Sequence, residues 1–263
     1  MLSKSIVRAV SVILSLAVFL AGCAPTKLPQ GTGAVWHLVI ISDSSLWGVG
    51  EAFAAQIEED MGVTVVVEDY AMGGSSAGQI LQALQTGKSP NAKLEKLPAV
   101  LKEAEVVVMF LNPNDSINPE QPLDLDGCFI SMPPKSCNPE SFEQWTTDLK
   151  AIWGEILRLR NGKETILRAV DLYNPLVSPW KENGVFESCI KCWENMSDAV
   201  RLAAEAYNIP FLSRLDAFNG FNHDEDPRLK GYIGPDGEHL SDLGAEYIAE
   251  LLAQMVYEPV SPP

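Results

Sequence analysis

The sequence predicts an α/β domain with a doubly wound, mainly parallel sheet covered by helices on both faces. Three observations carry this. Strand-like and helix-like patterns alternate along most of the chain. The strand-like runs are continuously apolar and β-branched, as strands buried on both faces are, and do not alternate apolar with polar. The 263 residues suffice for one large core without requiring a second.

Taken in order, Val35 to Ile41 is a short apolar run ending in polar residues and reads as a first buried strand. Trp47 to Met61 has helical spacing, and Val63 to Val67 is a second strand. Helical patterns follow at Ala77 to Leu84 and Leu97 to Ala104, then a third strand at Glu105 to Leu111. Phe142 to Leu159 is an amphipathic helix whose Trp145, Leu149 and Trp153 mark a core-facing stripe. Glu164 to Leu172 is the fourth strand, Cys192 to Tyr207 a helix, Ile209 to Leu212 the fifth strand and Leu243 to Met255 the last helix. Two connections, Asp115 to Ser141 and Tyr173 to Glu187, exceed ordinary turns, and loops of such length are commonly functional.

The N-terminus reads as an export signal. Lys4 and Arg8 precede an almost uninterrupted apolar run from Ala9 to Gly22, short of the roughly 20 residues that span a bilayer. Leu20-Ala21-Gly22-Cys23 resembles a bacterial lipobox, which implies cleavage before Cys23 and a diacylglycerol on its thiol. Residues 1–22 are thus expected to be a leader, 23–33 a Pro- and Gly-containing tether and 34–258 the folded domain. The net charge of −16 disfavours nucleic acid and anionic headgroups as partners, so membrane attachment falls to the lipid on Cys23. A monomer anchored to a bacterial membrane outside the cytoplasm is the expectation, with either membrane of the envelope open to it.

Four further cysteines, Cys128, Cys137, Cys189 and Cys192, favour disulfides in an exported chain and allow three connectivities. The Cys189-x-x-Cys192 spacing also admits a zinc half-site or a redox pair. No thioredoxin-like pattern surrounds the pair, and a zinc site would have to recruit Cys128 and Cys137 from far along the chain.

Ligands of a doubly wound sheet gather at the C-terminal strand ends near the point where strand order reverses. The first strand runs into Ser42-Asp43-Ser44-Ser45, the second into Met72-Gly73-Gly74-Ser75-Ser76, the third into Asn112-Pro113-Asn114-Asp115. With a strand order of 2-1-3 these ends are neighbours. Ser44 would then present its hydroxyl at a helix N-terminus. Gly74 would let backbone approach a reacting carbonyl and donate an N–H, and Asn114 would add a side-chain donor. Before the last helix stands Asp236-Gly237-Glu238-His239. There a histidine can take the serine proton, oriented by an acid three residues earlier.

This set resembles the SGNH (GDSL-type) hydrolase family over essentially the whole chain beyond the leader. Ser44 matches its nucleophile block, Gly74 its glycine block, Asn114 its asparagine block, and Asp236 with His239 its terminal Asp-x-x-His block. The resemblance implies a three-layer, flavodoxin-like α/β/α sandwich with five strands and an esterase, lipase or carbohydrate deacetylase activity that needs no metal or cofactor. The oxyanion would be held by Ser44, Gly74 and Asn114. Ser42 and Asn112 stand where the family carries glycine, which puts loop geometry and substrate class in question.

A rival is Gly74-Ser75-Ser76-Ala77-Gly78, which satisfies the G-x-S-x-G elbow and would make Ser76 the nucleophile of an α/β-hydrolase. Only one candidate strand precedes its own strand, where that fold places several. A non-catalytic binding lipoprotein on the same fold is the alternative of a different class. His37 reads as structural, His223 as a solvated loop residue, and Asp43 and Asp115 as loop-holding acceptors. Phe129, Met132 and Trp180 are candidates for the substrate pocket.

Overall fold

A computed structural model describes residues 28–29, 31, 33–112, 128, 137 and 142–260. Five strands, β1 (Val35–Ser42), β2 (Thr64–Ala71), β3 (Val106–Met109), β4 (Ile166–Val170) and β5 (Phe211–Leu212), pair in parallel in the order β2-β1-β3-β4-β5. Every residue of β3 and β4 is buried, which is why these runs are apolar throughout. The order reverses between β1 and β3, so the crevice above their C-terminal ends is where a ligand site belongs.

The larger helices are α1 (Val49–Met61), α2 (Ala77–Thr86), α3 (Leu97–Leu101), α4 (Glu143–Arg160), α5 (Val177–Glu182), α6 (Phe186–Glu205), α7 (Arg214–Asn219) and α8 (Asp242–Gln254). α1 packs on α8, while α2 packs on α4 and α4 on α6. Right-handed crossovers put these two groups on opposite faces, because β1 to β2 runs one way along the sheet and β2 to β5 the other. The result is the three-layer α/β/α sandwich.

Several expected boundaries move. Trp47 lies outside α1, because Gly48 in the left-handed region (φ 80°) separates it from Val49. The expected loop at Tyr173 to Glu187 contains α5, and α6 begins at Phe186, well before Cys192. Its first turns carry cysteines as buried helix-face residues, which spacing arguments read as a disulfide framework and not as a helix. α7 is too short to show periodicity. The tether is ordered at its end: the Trp36 indole donates to Pro29 O at 2.8 Å and Leu28 is buried. At the other terminus Val260 N donates to Thr165 O at 2.9 Å.

Cys128 pairs with Cys189 and Cys137 with Cys192. Cys189 and Cys192 leave one face of α6 a turn apart, so two bonds clamp residues 128 and 137 onto that helix. Such bonds persist in oxidising compartments, as expected of a chain outside the cytoplasm. No helix among the described residues is long and apolar enough to cross a membrane. The leader, Cys23, Asn114, Asp115, Phe129 and Met132 lie outside the described residues.

Candidate active site

Ser44 stands two residues beyond the end of β1. Asp43 caps a single 3₁₀ turn, Ser44–Leu46, by accepting from Ser45 N at 2.8 Å, as loop-holding acceptors do. The serine is therefore the first residue of a capped turn, and its hydroxyl is held at the start of that turn. Ser42 is fully buried in extended strand backbone, and its carbonyl accepts Met72 N at 2.9 Å. Neither Ser42 nor Asn112 has a positive φ, so neither position demands glycine.

His239 reaches the same point from the far end of the chain. Residues 233–240 form a tight antiparallel excursion, with a bridge between Ile233 and Leu240 and Gly234 N donating to His239 O at 2.8 Å. Gly237 takes φ 78° and its N–H closes the turn on Gly234 O at 3.0 Å. This turn folds Asp236 back toward the ring it precedes. Asp236 Oδ2 lies 2.8 Å from His239 Nδ1, and Oδ1 accepts the backbone N–H groups of Glu238 and His239, both at 3.0 Å. The Glu238 N–H, the His239 ring and the His239 N–H together hold the Asp236 carboxyl down to about 2. A carboxylate at Nδ1 makes that nitrogen the donor, which leaves Nε2 to accept. Ser44 Oγ lies 2.9 Å from Nε2, so the hydroxyl donates to it. Three side chains from two segments nearly 200 residues apart form one proton path.

Two aromatic groups support the histidine. Trp47 stacks on the imidazole with centroids 4.8 Å apart and planes 20° from parallel, and its indole N–H is fixed by Ala71 O at 3.0 Å. The Tyr173 hydroxyl donates to Glu238 O at 2.9 Å from the end of β4. Burial pushes the Tyr173 phenol up, so it stays a donor. Neither residue stood out in the sequence. The Leu46-Trp47-Gly48 step, a glycine just before a helical pattern, was the available signal for Trp47.

Gly74 occupies the left-handed region (φ 74°), and a Cβ placed there meets nothing within 4 Å, so conformation and not crowding demands glycine. The adjacent Ser76 pairs with Asn112 in a parallel bridge, which brings the glycine block beside the end of the third strand. Ser76 itself is 1% exposed and caps α2, accepting Gln79 N at 3.3 Å. Its oxygen is committed to a helix terminus, with no histidine bonded to it.

Other expectations change on inspection. Trp180 is not a pocket residue: it is fully buried, packs edge-on against Trp193 and donates to Cys128 O at 2.7 Å. His223 is not merely solvated; its ring lies 2.8 Å from Asp216 Oδ1 and 3.3 Å from Glu194 Oε1, tying α7 to α6. His37 sits on β1 away from the site, 4.0 Å from Glu68. Among the described residues no cluster of three or more His, Cys, Asp or Glu could hold a metal ion.

No family model matches the sequence, and no curated protein matches it. Solved structures do. A lipase, Lip_vut3, from a goat rumen metagenome superposes with TM-score 0.57 at 20% identity, over 85% of this chain and 98% of that one. An acetyl xylan esterase, AlAXEase, gives TM-score 0.51 at 16% identity over 84% and 99%. TesA gives 0.50 at 16% over 81% and 94%. The chain has an α/β fold of the SGNH-hydrolase type.

Proposed function

We propose that this chain is a serine esterase that cleaves carboxylic esters through an acyl-enzyme. The observation that carries the reading is the hydrogen-bonded path Ser44 Oγ to His239 Nε2 at 2.9 Å and His239 Nδ1 to Asp236 Oδ2 at 2.8 Å. Ser44 Oγ attacks the ester carbonyl carbon while His239 Nε2 takes its proton. Asp236 holds the ring in the required tautomer and stabilises the imidazolium. The amides of Ser44 and Gly74, with the Asn114 side chain, receive the oxyanion. Collapse breaks the ester C–O bond, and the imidazolium protonates the departing alcohol. Water then attacks the acyl-enzyme, giving its proton to His239, and the acid leaves with Ser44 restored. No metal or cofactor enters these steps.

Similar folds in a lipase and an acetyl xylan esterase support ester substrates, either small acyl esters or acylated glycans. The two disulfides support an extracytoplasmic site of action. We place the chain at the bacterial envelope as a monomer, tethered by lipid on Cys23, with no nucleic-acid partner. Fluorophosphonate labelling of a soluble version starting at Ala24 tests the chemistry. Wild type is expected to be labelled and Ser44→Ala not; equal labelling of the two sinks the assignment. Rates on p-nitrophenyl esters of increasing chain length, then on acetylated polysaccharides, define the substrate.

A further inference from the structure

Arg214 opens α7 and is fully buried, with the Asp171 carboxylate as its buried counter-charge. Its guanidinium spreads three ways. Nε donates to Asp171 O at the end of β4. Nη1 donates to Ser45 O at 2.7 Å, and Nη2 to Ser45 Oγ at 3.2 Å. Its carbon lies 4.9 Å from the Phe110 ring centre and 5.4 Å from that of Tyr173, within the reach of cation–π attraction. Asp171 is in turn saturated: Ser197 and Ser213 donate hydroxyls to it, and Arg214 N and Leu215 N donate to its other oxygen.

A buried charge is a poor device for stability, since desolvation costs more than a counter-charge that it does not touch returns. Its geometry gives it another use. Two of the three directions of the guanidinium end on Ser45, the neighbour of Ser44 within the same single turn. That turn is too short to hold itself, having one backbone bond, Trp47 N to Ser44 O at 3.3 Å. The ring on which Arg214 lies, Tyr173, holds the carbonyl beside His239. One buried group therefore touches the supports of both halves of the proton path.

We propose that Arg214 is a positioning residue for Ser44: it clamps the nucleophile turn to the end of β4 and, through Tyr173, fixes that turn relative to the histidine loop. The proposal rests on the serine-esterase reading. It requires that loss of the clamp slow the chemical step and spare ester binding, because Arg214 touches neither substrate nor reacting atoms.

The test is a set of variants assayed on p-nitrophenyl acetate, with active sites counted by fluorophosphonate and folding followed by thermal denaturation. Arg214→Lys keeps a cation but loses the planar fork that spans Asp171 and Ser45. It is expected to lower kcat per labelled site by about 10- to 100-fold with KM unchanged, the scale of a misplacement of about 1 Å. Ser45→Ala deletes one acceptor outside the core and is expected to lower kcat by about 3- to 10-fold, and to do nothing further in the Arg214→Lys background. Wild-type kcat in folded Arg214→Lys overturns the proposal, as does a Ser45→Ala effect of equal size in both backgrounds. If Arg214→Lys does not fold, Ser45→Ala alone decides, and wild-type kcat there overturns it. An unlabelled wild type is a different failure, that of the esterase reading itself.

Discussion

The pairing of the cysteines has a thermodynamic consequence that can be worked from their positions. Cys128–Cys189 joins residues 61 apart and Cys137–Cys192 residues 55 apart, the second loop overlapping the first. In the chain-entropy account either bond alone removes about 4 kcal/mol of denatured-state freedom. With one bond in place the other closes only a small ring, whose two arms are Cys128 to Cys137 and Cys189 to Cys192. That ring of about 12 residues is worth about 3 kcal/mol. Removing either bond by paired Cys→Ala changes should therefore cost about 3 kcal/mol, and removing the remaining one about 4 kcal/mol more. The second loss exceeds the first because the survivor of two interleaved bonds still closes a long loop of its own. The assay is urea denaturation of wild type, both single-bond variants and the variant lacking both, with thiols counted in denatured, unreduced protein. Four free thiols in that count, or a doubly altered protein as stable as the single ones, would refute the reasoning.

Three further outcomes follow from the site. Asp236→Asn places an amide donor against Nδ1 and so forces the wrong imidazole tautomer; kcat is expected to fall by about 10²- to 10⁴-fold with KM little changed, and steady-state kinetics near wild-type rates would contradict the tautomer argument. Ser76→Ala is expected to keep turnover while losing about 1 kcal/mol of stability, the worth of an N-cap; abolished labelling of this folded variant would restore Ser76 as nucleophile. The third concerns pH. Burial pushes the Asp171 carboxyl from its ordinary 3.8 up to about 6, so the folded state binds this proton more tightly than the unfolded one. Its stabilising contribution is complete below about 3.8 and is lost as pH rises through about 6, whereas Asp226 and Asp236, held near 2, lose theirs only as pH falls toward that value. Urea midpoints at pH 4.5, 5.5 and 6.5 should show wild type losing stability relative to Asp171→Asn as pH rises; parallel curves would contradict this.

Local pattern alone determined a good part of this protein. Strands buried on both faces must be apolar along their whole length, which made β1, β3 and β4 legible; β2, exposed or half-buried over Thr64–Asp69 at the sheet edge and so not the fully buried strand expected, and the two-residue β5 were legible through their alternation with the large helices. Asp236-Gly237-Glu238-His239 was legible for the same reason: an acid, a turn-making glycine and a base within four residues interact through their own backbone, whatever surrounds them. Tertiary structure decided the rest. Four cysteines allow three pairings, and only the packing of residues 128 and 137 on α6 selects one. Trp47 has helical spacing in sequence, yet it lies on His239, 192 positions along the chain, because Gly48 turns the backbone before α1 begins. Ser76 satisfies a nucleophile motif in sequence, and its burial at the start of α2 removes it from contention. Arg214 carries no local signal at all: a cation in a six-residue helix becomes a clamp on the Ser44 turn only when β1, β4 and α7 converge, and contacts across such sequence distances leave no periodicity to read.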